Sequence, residues 1–142
     1  IILTSPLFGV SILKLGFPLF ILFLSLYIFG ITLGLFVSSG LMRFGPSFEN
    51  IAWSSLFLLA PLGCIYYPIE ILPEFFQAIA KGLPLVYIFD ETRNILINGL
   101  VDYENIKQAY LLNLVYLIFG IGLFYLSFLR ARIKGTLINM GE

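Results

Sequence analysis

The feature that most constrains this chain is the spacing of its charges. From Leu15 to Met42 there are 28 consecutive residues without a charged side chain, from Asn50 to Ile69 there are 20, and from Gln108 to Leu129 there are 22. A charge at mid-bilayer costs at least about 2.5–3.5 kcal/mol on insertion scales, so uncharged intervals mark where a chain can cross a membrane. Each interval is long enough, because a hydrocarbon core of roughly 30 Å needs about 20 helical residues at 1.5 Å apiece. The sequence therefore predicts an all-α polytopic membrane bundle with three full transmembrane helices, at 17–42, 50–69 and 108–129.

Composition agrees. Of the 142 residues 60% are hydrophobic and 11% charged, with a mean hydropathy of +1.02, whereas a soluble domain is about half apolar and a quarter charged. The surplus apolar surface must face lipid or other subunits. Eight basic and eight acidic residues cancel, which removes the positive field that nucleic-acid binding requires. With no histidine and one cysteine, Cys64, neither a disulfide framework nor a cysteine/histidine metal site can be assembled from the chain. Cys64 reads as a small buried apolar residue. The opening segment 1–13 is uncharged but too short to cross alone; it is expected to be the end of a helix that begins before Ile1, the alternative being a short re-entrant piece. A secretory signal fits poorly, since its basic residues precede the apolar run and Lys14 follows it.

Local signals refine the spans. Pro18 suits the first turn of the first helix, which is expected to end near Gly40. Within it, Gly30 and Gly34 have the small-xxx-small spacing that lets another helix approach. The second span contains Pro61 and Gly63, so a kink is expected. Trp53, near its start, reads as an interfacial anchor. The third span is uninterrupted.

Segment 70–100, between the second and third spans, reads as a helical hairpin. Pro73 opens a stretch in which Leu72, Phe75, Phe76, Ile79 and Leu83 share a helical face while Glu74, Gln77 and Lys81 lie off it. Gly82 and Pro84 stop that helix. A second one follows, with Leu85, Ile88, Phe89, Thr92, Ile95 and Leu96 on one side and Gly99 at its end. Neither helix is long enough to span, so the hairpin is either interfacial or re-entrant. The basic residues divide into Arg43, Arg130, Arg132 and Lys134 at one side and Lys14, Lys81, Arg93 and Lys107 at the other. The density of the tail cations places the C-terminus, 130–142, in the cytoplasm and the hairpin outside the cell membrane. Run 130–134 also suits anionic headgroups, although topology marking explains it equally well.

The stretch Tyr67-Pro68, Leu72-Pro73, a short helix, Leu83-Pro84 and Arg93 resembles the ABC-2 type permeases, the membrane subunits of ATP-driven exporters. Segments Leu33–Phe36 and Leu41–Phe44 are similar to the end of that family's fourth helix and the turn after it. One departure is that Arg43 is followed by Phe44-Gly45-Pro46, where many members have an acid. The resemblance implies that the three spans are helices four to six of a six-helix permease, that the first half lies outside this chain, and that the chain works as a homodimer with an ATP-binding cassette ATPase subunit. It implies that ATP and magnesium are held by that ATPase partner and no cofactor by this chain.

No catalytic constellation is legible. There is no Gly-x-x-x-x-Gly-Lys-Ser/Thr run to cradle phosphates, and Asp90 and Glu91, adjacent on a helix, diverge by about 100° and do not converge on one atom. Asp90 and Arg93, three apart, are positioned to pair. The expected function is transport, with Glu70, Pro73, Glu74, Pro84, Asp90 and Arg93 as candidate gate or pathway residues. The alternative is a secondary transporter or channel subunit not driven by ATP, and the lack of ionisable residues within the spans counts against it.

Overall fold

The computed structural model describes residues 12–134. The expected helix end at 1–13 lies almost wholly outside them, as does the tail beyond Lys134. Among the described residues the fold is helical throughout: α1 (Ile12–Phe44), α2 (Phe48–Leu62), a 3-10 turn (Ile69–Ile71), α3 (Glu74–Ala80), α4 (Pro84–Asn98) and α5 (Tyr103–Lys134). Two helices, α1 and α5, are long and apolar enough to cross a membrane; at 1.5 Å per residue each extends about 48–50 Å.

The expectation of three membrane-long helices is revised at α2. Its 15 residues extend about 22 Å, short of a hydrocarbon core of roughly 30 Å. Pro61 and Gly63 end the helix instead of kinking it. Gly63 N–H still reaches the Leu59 carbonyl at 2.7 Å, but Cys64 N–H bonds back to Pro61 at 3.3 Å and Cys64 adopts a left-handed φ of 53°, which turns the chain out of the helix. Pro18 also departs from expectation. The helix begins before it, so Pro18 sits inside α1, where its missing N–H removes one ladder bond.

The expected third span starts earlier than Gln108. Asp102 Oδ1 accepts the Glu104 N–H at 2.9 Å, an N-cap that satisfies a first-turn donor. Tyr103–Lys107 thereby join the helix ahead of the apolar stretch. At the end of α4, Gly99 has φ 66° and donates to Ile95, the left-handed cap that glycine adopts without a Cβ penalty.

Helices α1 and α5 pack side by side and parallel. Their cross-links keep one offset: Tyr110 Oη donates to the Ile21 carbonyl, Asn113 Nδ2 donates to both the carbonyl and Oγ of Ser25, and Ser39 Oγ meets Ser127 Oγ at 2.8 Å. Ser25, Thr32 and Ser39 are all buried and seven apart, opposite Asn113, Gly120 and Ser127, also seven apart. A seven-residue repeat is the signature of helices packed along a continuous seam. At its centre a Cβ on Gly120 would lie 3.6 Å from Thr32 Cγ2, so the small residue sets the close approach. Gly30 and Gly34 do not do this; both are exposed and have nothing within reach of an added Cβ.

Helix α4 lies against both long helices. Ile88 and Ile95 join Leu22, Ile106 and Ala109 in the main core. A smaller core of Cys64, Ala80 and Val86, flanked by Tyr67, Ile69, Leu72 and Leu83, ties the exit of α2 to α3 and α4. Of the apolar face predicted for α3, Leu72 and Leu83 pack against it and the middle of the face does not. Phe75 is 72% exposed and Phe76 and Ile79 are exposed as well, while Ala80 provides the buried contact. On α4 the buried stripe runs Pro84, Ile88, Glu91, Ile95, and Leu96, predicted on that face, is exposed.

Candidate functional site

Where the helices are interrupted, backbone carbonyls lose their intrahelical donors, and in an apolar environment each such group must find another partner. Side chains supply them here. Tyr67 Oη donates to the Pro61 carbonyl at 2.7 Å, Arg93 Nη2 to Cys64 at 3.1 Å, Tyr87 Oη to Lys81 at 3.1 Å and Tyr116 Oη to Gly82 at 3.0 Å. Gln77 Nε2 donates to the Leu72 carbonyl at 2.7 Å, so the broken backbone between α2 and α4 is held by one arginine, one carboxamide and three phenols. Tyr116 lies eight residues, about 12 Å, inside the uncharged stretch that starts at Gln108, and the turn between α3 and α4 reaches it.

Arg93 is the junction of this arrangement. Its Nη1 pairs with Asp90 Oδ1 at 3.3 Å on the same helix, as the i,i+3 spacing predicts, while Nη2 crosses to the α2 exit. The Asp90 pair is partly exposed and contributes only about 0.3–0.5 kcal/mol. A planar guanidinium can serve both partners at once, which a lysine ammonium does less well. Beside it is an open pocket of about 240 Å³ lined by Asp90, Arg93, Asn94, Ile97, Asn98 and Asn105.

Glu91 is the residue that sequence reasoning missed. Its side chain is completely buried; Oε1 accepts the Asp102 N–H at 2.7 Å and Oε2 accepts Asn105 Nδ2 at 3.2 Å. A buried carboxylate is tolerable only when both oxygens are bonded, and these two bonds fasten the α4–α5 connection. The signal was available, because Glu91 falls between Ile88 and Ile95 at 3- and 4-residue spacing, on the buried stripe. Asn113 was also missed. Its Nδ2 is doubly engaged by Ser25, while its Oδ1 is buried without a hydrogen-bond partner.

The other predicted site residues are dispersed. Glu70 is exposed on the 3-10 turn, Pro73 and Glu74 open α3 at the surface, and Pro84 is buried at the first turn of α4. Asp90 and Arg93 are brought together; Glu70 and Glu74 are not brought to them by any contact found among the described residues. Lys81, exposed at the turn between α3 and α4, directly precedes Gly82, whose carbonyl accepts from Tyr116. Among the described residues no group of three or more acid or cysteine side chains is placed to hold a metal ion. No family model, curated protein or solved structure matches this chain.

Proposed function

We propose that this chain is the permease subunit of an ATP-driven exporter of the ABC-2 type, in which α3 and α4 form a re-entrant hairpin that closes the outer end of a translocation pathway. The observation that carries the reading is the Tyr116–Gly82 bond. It draws a polar turn into the level of an apolar stretch on α5, where irregular backbone is tolerated only against protein or a wet cavity. The exposed ammonium of Lys81 at that turn needs water within reach for the same reason. In the proposed assembly two copies face each other across the pathway, the exposed Phe75, Phe76 and Ile79 meet the second copy, and an ATPase subunit in the cytoplasm supplies ATP, magnesium and the hydrolytic energy.

The proposed span set is α1, α5 and a composite of α2 with the segment after it, which together cover the depth that α2 alone falls short of. The proposed location is the cell membrane, with the C-terminus cytoplasmic. The test is co-purification with a soluble ATPase and transport by the reconstituted pair. Transport should be lost when the ATPase is inactivated. Transport that persists without it would assign the chain to the secondary carriers or channels. Cysteines introduced at Glu74 should cross-link between copies; no inter-subunit product, with transport indifferent to substitutions at Glu74 and Arg93, would refute the gate.

A further inference from the structure

The parallel arrangement of α1 and α5 sorts charge along the molecule. One end carries Glu70, Glu74, Asp90, Glu91, Asp102 and Glu104 with Arg93 and Lys107. The other carries Arg43, Arg130 and Arg132, with Glu49 in the first turn of α2 as the acid among the described residues there. The sequence keeps Arg43 nearly ninety positions away from the other two arginines, but the seam brings them to one level. Ser39 and Ser127 touch at 2.8 Å; one helical turn further, Arg43 follows Ser39 and the buried Ala131 follows Ser127. Arg130 and Arg132 flank Ala131, about 100° to either side of it. Axes of packed helices are 8–10 Å apart, so three exposed guanidinium groups stand at one level at this end of the seam, Arg130 and Arg132 on opposite flanks of α5. Arg43 is also held in place: its guanidinium lies 5.7 Å from the centre of the Phe44 ring, which stacks on Phe48 at 5.7 Å.

We infer that Arg43, Arg130 and Arg132 together form a binding surface for the phosphates of anionic phospholipid headgroups, at the end of the two long helices. The partner is a lipid because the cluster begins where the uncharged stretches 15–42 and 108–129 stop, so a ligand with a phosphate at this level and acyl chains alongside the exposed apolar flanks of α1 and α5 satisfies both surfaces. Arginine presents several donors in a fixed fork that matches phosphate oxygens, and the aromatic platform of Phe44 and Phe48 keeps one fork oriented before the lipid arrives. The single carboxylate of Glu49 leaves the cluster net positive. This site rests on the reading that α1 and α5 span a bilayer.

The test is electron spin resonance of the full chain reconstituted in phosphatidylcholine bilayers, with spin-labelled phosphatidylglycerol or phosphatidylcholine as the probe. Phosphatidylglycerol should occupy the motionally restricted population with a preference of about fivefold, weakening with added salt. The preference should fall to near one in a variant carrying Arg43→Gln, Arg130→Gln and Arg132→Gln. A variant carrying Lys107→Gln, at the opposite end, should retain it, and circular dichroism of both variants should match the parent. Equal restriction of the two lipids in the parent chain, or a preference unchanged in the arginine variant, overturns the site while leaving the spans intact. Loss of the preference on adding inorganic phosphate, but not chloride of equal ionic strength, would assign the cluster to a soluble anion and overturn the lipid. Absence of any restricted lipid would refute the membrane reading itself and the site with it.

Discussion

Replacing Glu91 by alanine tests the physical core of the structure most directly. The carboxylate accepts two hydrogen bonds, from the Asp102 N–H and from Asn105, and bonds to a charged acceptor contribute about 1.5–3 kcal/mol each. Truncation removes both, leaves the Asp102 N–H without its partner and opens a void beside Ile88 and Ile95. A local cost of about 3–5 kcal/mol follows. It is local because Glu91 fastens the α4–α5 connection and, among the described residues, makes no hydrogen bond to α1 or α2. At a factor of ten per 1.4 kcal/mol, even the lower bound raises the open population of residues 99–106 about 100-fold. Hydrogen exchange followed by mass spectrometry should show peptides over that connection exchanging about two orders of magnitude faster, while peptides over the α1–α5 seam near Ser39 and Ser127 keep their protection. Glu91→Gln retains an acceptor for the Asp102 N–H, and Asn105 can rotate to offer its carbonyl; its effect should stay within about tenfold. If Glu91→Ala leaves exchange over 99–106 unchanged, or loosens the seam equally, the buried carboxylate is not the fastening described above.

Other substitutions probe the seam and the interruptions. Gly120→Ala should be tolerated, since the added Cβ meets Thr32 and Leu35 at ordinary contact distances and alanine favours helix by about 1 kcal/mol; Gly120→Leu should force the helices apart and abolish disulfide formation between cysteines placed at Ser39 and Ser127. Those two cysteines should cross-link readily in the parent background, as their Oγ atoms are 2.8 Å apart. Arg93→Lys should free the Cys64 carbonyl at a cost of about 1–3 kcal/mol, seen as a fall in thermal midpoint in detergent, and Arg93→Ala should be at least as damaging. Cys64 is buried and should resist maleimide labelling in the folded chain, reacting fully only after denaturation; prompt labelling of the native protein would contradict the packing of Cys64, Ala80 and Val86.

Charge spacing made α1 and α5 legible because insertion energetics depend on a sum over twenty residues and tolerate error at any one. It overextended α2, since an uncharged interval says where a helix is affordable and not where it stops. Pro61 and the left-handed turn at Cys64 decide that, and the latter is a backbone state with no glycine to announce it. The hairpin signals at Pro73, Gly82, Pro84 and Gly99 matched observed helix ends because each acts through its own backbone. The faces of α3 and α4 were harder. Hydrophobic periodicity alone assigns apolar residues to the interior, yet Phe75 and Phe76 face outward and Glu91 inward, because α3 meets Cys64 and Val86 through Ala80 and the neighbour of α4 offers Asp102 and Asn105 as bonding partners. Of the candidate site, the Asp90–Arg93 pair followed from i,i+3 geometry. The reach of Arg93 to Cys64, 29 positions away, depends on tertiary packing that no local pattern encodes.

The constant offset between the two long helices also has a temporal side. Ser25 and Asn113, like Ser39 and Ser127, are 88 positions apart, and translation adds roughly 5–20 residues per second. Helix α1 therefore emerges about 4–18 seconds before the helix that completes its polar seam. During that interval Ser25, Thr32 and Ser39 have only their own backbone or transient neighbours to bond, as the Thr32 hydroxyl does with the Ile28 carbonyl at 3.0 Å. Hydroxyls suit such a wait better than carboxamides, since they can turn inward on their own helix, and the one asparagine of the seam is on the later-made partner.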